Sequence, residues 1–292
     1  MLKRLIELVI SLWFYVFCWV WRWVNRVLGK EIPGSCVILL YHTVASRDRN
    51  RFTKQMKMLR QLAKPIPANN TKPLEEGTHY AAVTFDDGFT STLENAVPEL
   101  QRLKIPMTFF VPTGYLGLNP GWIHDENQKY STEVVVDPDQ LRALNDDLIT
   151  IGSHGVKHLR LSDLSEDDAK KEISESKDSL ESIINKPIEL FAFPHGAYTS
   201  ALVSTALQKG YKRVFTVLPK LAFSEPNEVI TGRIDVSPND WHIEFILKLL
   251  GAYRWLPTAF FIKRKILNIG AHILSFFRSG ELEKEAVHKI IK

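Results

Sequence analysis

The stretch Ala82-Val83-Thr84-Phe85-Asp86-Asp87-Gly88-Phe89 constrains this chain more than any other. An apolar run ending in two carboxylates and a glycine reads as a buried strand that delivers acids at its C-terminal tip, where barrels of parallel strands keep their chemistry. Adjacent strand residues point to opposite sides, so Asp86 and Asp87 are expected to take different partners, one a metal and the other a substrate. Alone, Asp86-Asp87-Gly88 also reads as a strand-ending turn. A second signal decides between them: Ile151-Gly152-Ser153-His154-Gly155-Val156-Lys157-His158, about seventy residues on. Histidines four apart lie on one face of a helical turn, as two ligands of one ion must. They follow a strand-like Leu148-Ile149-Thr150-Ile151-Gly152. Two imidazoles and a carboxylate, with positions open to water and substrate, suit a catalytic divalent transition ion, Zn²⁺ first, with Ni²⁺, Co²⁺ or Mn²⁺ as alternatives.

The rest of the middle of the chain repeats strand, helix, strand. Cys36-Val37-Ile38-Leu39-Leu40-Tyr41-His42 is a continuous apolar run of the kind a parallel sheet buries on both faces, with a histidine at its tip. Residues 52–62 are patterned as an amphipathic helix, 64–77 as a loop, 91–103 as a helix and 107–111 as the next buried strand. A short helix is expected at 139–145 and a long amphipathic one at 165–184, whose charges read as a solvated face. A strand at 187–193 leads into Pro194-His195-Gly196, followed by a helix at 200–209 and a strand at 213–217. This is the βαβ rhythm, and 292 residues suffice for one α/β barrel. Residues 112–138 form a long irregular loop around Trp122, which can face a substrate groove or fill the loop's own small core.

The two ends differ from this body. Residues 5–24 form an apolar segment with Glu7 and Arg22 as its only charges and match a bilayer core in length, with Trp19, Trp21 and Trp23 placed for an interface. A cleaved signal peptide is the rival, weakened because Arg22, Arg26 and Lys30 stand where a small-residue cleavage site belongs. A soluble packing helix is the third reading. Basic residues flank the segment on both sides, so charge does not set its orientation. Residues 255–277 read as a basic amphipathic helix in a membrane interface, or as a helix covering the barrel. The expected organisation is a membrane helix at 1–30, a barrel at 31–250 and a basic amphipathic tail at 251–292. Net charge is +4 over 1–30, −5 over 31–250 and +5 over 251–280, which favours anionic membrane at the ends over nucleic acid at the body. The two cysteines, Cys18 and Cys36, are not expected to pair.

On TFDDG (84–88), HGVKH (154–158) and FPHG (193–196) the chain resembles the polysaccharide deacetylases with a NodB-homology domain, carbohydrate esterase family 4, over roughly residues 35–240. The resemblance implies a distorted (β/α)7-type barrel. It implies Asp86 as catalytic base and Asp87, His154 and His158 as metal ligands. One branch of the family opens on a Leu-Leu-Tyr-His strand and is circularly permuted, which would make His42 the general acid. Pro194, His195 and Gly196 would line the oxyanion site, and Trp241, in Asp240-Trp241, the acetyl pocket. Many members carry an arginine two residues before the motif proline, where this chain has Ala192. Arg233 is the candidate replacement, its alternative being a pair with Asp235. The implied activity is removal of an N-acetyl or other small N-acyl group from an amino sugar in a polysaccharide or a lipid-linked glycan, with the membrane-seeking ends favouring the latter. The competing reading is a non-catalytic glycan-binding or scaffold protein that keeps the barrel.

Overall fold

The computed structural model describes residues 1–125, 129–144, 147–225, 227–262 and 265. The apolar runs become parallel strands: β1 (Ser35–Tyr41), β2 (Lys64–Pro65), β3 (His79–Phe85), β4 (Met107–Val111), β5 (Ile149–Ser153), β6 (Leu190–Ala192), β7 (Arg213–Phe215), β8 (Ile230–Thr231) and β9 (Ile234–Asp235). Their order is β8-β7-β6-β5-β4-β3-β1-β9, with β2 beside β3. The outermost two strands are neighbours in the chain, joined by Gly232 and Arg233 alone, so one interrupted strand closes the sheet on itself. This is the barrel expected from the strand pattern, with a closing strand whose two-residue halves are too short to show a pattern in the sequence.

Both faces of the strands are buried, for different reasons. Val37, Leu39, Val83, Phe85 and Phe109 face the core shared with the surrounding helices. Ile38, Ala82, Phe110, Ala192 and Phe215 form the smaller interior layer. That double burial is what a continuous apolar run encodes in a parallel sheet. The helices are α1 (Leu2–Val27), α2 (Arg49–Leu62), α3 (Thr90–Asn95), α4 (Val97–Leu103), α5 (Pro138–Ala143), α6 (Glu166–Ile184), α7 (Ser200–Gln208) and α8 (His242–Leu249). The single helix expected over 91–103 is two, because Pro98 in the first turn of α4 has no N–H to continue a ladder. Strands 187–193 and 213–217 shorten to three residues each. α5 starts one residue early on a capping box made by Asp137 and Gln140, which satisfies the first free N–H groups.

Register carries the tips to one edge. β1 and β3 pair from Ser35 with His79 to Tyr41 with Phe85, so His42 and Asp86 emerge side by side. β4 and β5 pair through Val111 and Ser153, which brings His154 to the same level. The closing segment needs glycine: a Cβ on Gly232 would sit 2.2 Å from the Leu218 carbonyl oxygen and 2.7 Å from Lys220 Cβ. Gly232→Ala is therefore expected to destabilise the fold by about 1–3 kcal/mol, the usual cost of overpacking. The check is a lowered urea midpoint at unchanged slope, and an unchanged midpoint would show slack in the closure.

Residues Met1–Arg254 form one unit and Trp255–Lys292 another. In the second, 256–262 are helical with Phe260, Phe261 and Ile262 exposed. Most of the amphipathic helix expected over 255–277 lies outside the described residues. Cys18 and Cys36 are free thiols.

Candidate active site

Asp87 is the first residue of β3's tip to leave extended geometry, at φ 69°, and Gly88 continues the turn at φ 66°. The bend cancels the strand alternation, so the two carboxylates do not point apart as expected. Asp87 Oδ1 lies 3.6 Å from His154 Nε2 and Asp86 Oδ2 lies 3.8 Å from the same nitrogen. The long loop braces this turn from outside: Val136 N donates to Gly88 O at 2.8 Å, and Phe89 bridges Val135.

The two histidines do not stand on a helical turn. Gly155 and His158 both have positive φ, 77° and 54°, and the intervening loop is pinned from two sides. Glu172, on α6, accepts from the N–H groups of Val156 and Lys157 at 2.8 and 2.9 Å. Thr113 and Gly114 donate to the carbonyls of Gly155 and Val156 at 3.0 and 2.8 Å. The expectation that the charges of α6 are all solvated is thus wrong for Glu172, which is buried. Its signal was present in the sequence: Glu172 falls in the buried stripe of Ala169, Ile173, Ser176 and Leu180. Outer partners of this kind commonly change metal affinity 10–100-fold. Glu172→Ala is expected to weaken metal retention by about that factor, read by competition with a chelator.

Asp87, His154 and His158 offer ligand atoms that all lie within 4.8 Å of one another, and all three residues are buried. His158 Nε2 is 3.1 Å from Asp87 Oδ1 without hydrogen-bond geometry, for Oδ1 is a buried oxygen with no hydrogen-bond partner. Burial penalises the Asp87 charge, yet contact with His158 and the charges of His42 and His154 outweigh it and hold the carboxyl well below its ordinary range. Burial lowers His154 to about 4, so its imidazole is neutral at pH 7. His154 Nδ1 lies 2.8 Å from the Ala192 carbonyl, to which it must donate, and the Nε2 lone pair is left facing Asp87. An anionic oxygen without a donor and a neutral imidazole with its tautomer fixed are what a divalent cation requires.

Asp86 has a different partner. Arg233 is fully buried and meets it with two bonds, Nη1 to Oδ1 at 2.6 Å and Nη2 to Oδ2 at 2.7 Å. The alternative pair of Arg233 with Asp235 is not formed. Arg233 Nε also donates to Thr216 O at 3.2 Å, and the guanidinium packs on the rings of Phe110 and Phe215. Those rings belong to the interior layer that contains Ala192, so the arginine absent at 192 is met by one reaching in from the closing strand. Burial works against the Asp86 charge, but Arg233 and His154 together bring the carboxyl below its usual range.

The remaining candidates divide. His42 lines a cavity of about 530 Å³ with Tyr130, Glu133, Asp235 and Asn239, and its ring stacks on Tyr130 at 5.8 Å. Pro194 is buried, and His195, at φ 58°, sets its ring 4.8 Å from that of His158. Burial and the neighbouring His158 lower the pKa of His195. Gly196 N donates to Phe193 O and Ala197 N to Pro194 O, which leaves the His195 N–H without an acceptor among the described residues. Gly196 is required because a Cβ would meet Val217 Cγ2 at 2.4 Å. Trp122 stacks on His158 at 4.5 Å and faces Phe89 at 6.3 Å, so it buttresses a candidate ligand within the loop's own cluster. Trp241 does not wall the pocket. Its ring lies under the Arg4 guanidinium at 4.3 Å, because as N-cap of α8 it projects toward α1.

A family model described as polysaccharide deacetylase matches residues 74–214. YxkH of Bacillus subtilis strain 168, named for the polysaccharide deacetylases, is 26% identical over 225 residues, 72% of this chain and 75% of its own. Among solved structures, IcaB from Ammonifex degensii is similar with a TM-score of 0.63 at 23% identity, covering 75% of this chain and 97% of that one. A de-N-acetylase from Aggregatibacter actinomycetemcomitans gives 0.59 at 18%, covering 71% and 97%. The family match over residues 74–214, the curated relative, the parallel barrel and the TFDDG strand together support a polysaccharide deacetylase with a NodB-homology domain. The same matches support carbohydrate deacetylation, a hydrolase activity.

Proposed function

We propose that the protein removes the N-acetyl group from an amino sugar of a membrane-attached glycan in a metal-dependent hydrolysis. The observation that carries this reading is the meeting of Asp87 Oδ1, His154 Nε2 and His158 Nε2 beside a second carboxylate already held by a guanidinium. Three protein ligands of this type, with positions left open, are the donor set of catalytic zinc. Such an ion, when bound, polarises a carbonyl oxygen and acidifies a water.

Asp86 is the base. Its two oxygens each keep a lone pair beyond the Arg233 contacts, and the pairing keeps the carboxylate ionised and aimed, ready to take the proton of the attacking water. The His195 N–H is the backbone donor for the oxyanion of the tetrahedral intermediate. His42, one register step beyond the paired Tyr41 and Phe85, gives a proton to the leaving amine nitrogen. Acetate and a free amino sugar result.

Ala192, the ground for a non-catalytic scaffold, loses weight with Arg233 on Asp86. α1, long and apolar enough to cross a membrane, supports a lipid-linked acceptor over a free polymer. The test combines metal analysis of the purified full chain with acetate release from an N-acetylated amino-sugar oligomer. One divalent transition ion per chain and release abolished by chelation are expected; an intact, metal-free chain that cannot be activated by any such ion would overturn the reading.

A further inference from the structure

The N-terminal helix is apolar on the wrong side for a soluble packing helix. The face of α1 turned to the barrel carries Arg4, Glu7, Leu8, Ser11, Phe14, Tyr15 and Cys18, less exposed residues of the helix that recur every three to four positions. Ser11 is fully buried. Arg4 binds Glu244 through Nε at 2.7 Å, donates to Asn239 O at 3.0 Å and covers Trp241. Farther along, Arg254 packs on Phe14 at 5.3 Å and donates to Cys18 Sγ at 3.1 Å. The opposite face shows Leu5, Val9, Trp13, Val16, Phe17 and Val20, all exposed, with Trp13 at 72% and Phe17 at 65%.

This arrangement conflicts with a simple span. From Arg4 to Cys18 the helix is docked for about 21 Å at 1.5 Å per residue, most of the roughly 30 Å of a hydrocarbon core. Crossing the bilayer while docked would carry Asp240, Glu244, Lys248 and Arg254 into hydrocarbon, and the first three are already joined with Arg4 in one ion-pair network around α8. Beyond the docked part, Arg22, Arg26 and Lys30 are exposed and make no ion pair among the described residues, and Trp19, Trp21 and Trp23 stand between them and the apolar face. Aromatic rings with basic side chains at one level fit a headgroup layer of anionic lipid.

We infer that α1 lies in the plane of an anionic bilayer surface, with its exposed apolar face in the lipid and its mixed polar and apolar stripe on the flank of the barrel. The first turn of α1 then touches Asn239, which lines the His42 cavity, so that cavity opens beside the lipid surface. That last step rests on the deacetylase reading and gives it a direction: a glycan held by a lipid enters from the membrane edge. The seating of the helix does not depend on the chemistry.

The experiment uses the full chain. With vesicles of phosphatidylglycerol and phosphatidylcholine, the protein should float, and Trp13→Glu/Phe17→Glu should reduce flotation at least about tenfold at unchanged metal content. In spheroplasts and in inverted membrane vesicles of expressing cells, Lys3→Cys and Lys30→Cys should react with an impermeant maleimide from the same side, against the parent protein as blank. Reaction from opposite sides would show a span and overturn the inference. So would a mature chain beginning after residue 30 by intact mass, absence of flotation, or a dimer that the Glu substitutions dissociate. Metal analysis and acetate release are read on the same samples, so loss of chemistry with intact flotation counts against the catalytic reading alone.

Discussion

Asp87→Asn is expected to lose the ion and all turnover together, whereas Asp86→Asn keeps the ion and loses about 10²–10⁴-fold in rate, the usual contribution of a general base. The two aspartates are neighbours in the chain and converge on His154, so position alone does not separate them. Their partners do. Asp87 Oδ1 has no hydrogen-bond donor and is free for a cation, whereas both Asp86 oxygens are bound by Arg233 and can only trade a proton on the side left open. An amide at 87 offers a neutral oxygen to a site that needs the charge; an amide at 86 still fills its place but cannot accept a proton. The measurement is metal content with single-turnover rate on each variant. Equal metal loss in both would mean that the two carboxylates share the ion and that the division of roles is wrong.

His42→Ala belongs to the same test. It should keep the ion and fall by a similar factor, because the leaving amine needs a proton at the moment the C–N bond breaks. A wild-type rate in this variant would move the acid to His195, whose ring also borders His158.

The sequence read well wherever one strand or one tip carried the information. β1, β3 and β4 were visible as runs buried on both faces, and Asp86, Asp87, His154 and His158 as acids and imidazoles at their ends. What it did not show depends on contacts distant in the chain. β8 and β9 are two residues each, too short for any periodicity, and only pairing with β7 and β1 makes them strands. Arg233 was visible as a candidate but not its partner, because Asp86 lies 147 residues away and is reached only once the sheet closes. Glu172 was hidden differently, as an acid in a helix rich in acids, distinguishable only by its place on the apolar stripe. The histidine pair had the right spacing but not the expected local geometry: a helical turn and a glycine-bent loop can both bring residues i and i+4 together.

Arg233→Met should be the most damaging single change to the stability of the barrel. It removes a buried cation, keeps most of the aliphatic bulk between Phe110 and Phe215, and leaves Asp86 ionised without a partner. Breaking one side of a buried pair costs about 3–5 kcal/mol. The pH dependence follows from the direction of the Asp86 shift. In the native protein burial is outweighed by Arg233, so the folded carboxyl titrates below its ordinary value of about 3.9. A lowered folded pKa contributes stability above the unfolded value and loses it as pH falls through the folded one. Without Arg233 only the burial penalty and the weaker pull of the histidines remain, and the carboxyl is expected to rise above its unfolded value. The variant then suffers at neutral pH and recovers relative to wild type as the medium becomes acidic enough to protonate Asp86 in both states. Denaturant unfolding at pH 7 and near pH 4 should therefore show a gap that narrows on acidification, and the acid limb of the activity profile should shift to higher pH. Arg233→Lys, which restores charge without the two-pronged contact, should recover part of the stability and less of the rate, because it returns the ion pair but not the fixed direction of the carboxylate. A gap between wild type and Arg233→Met that is constant across pH, with an unmoved activity profile, would mean that the guanidinium serves packing rather than the charge of Asp86.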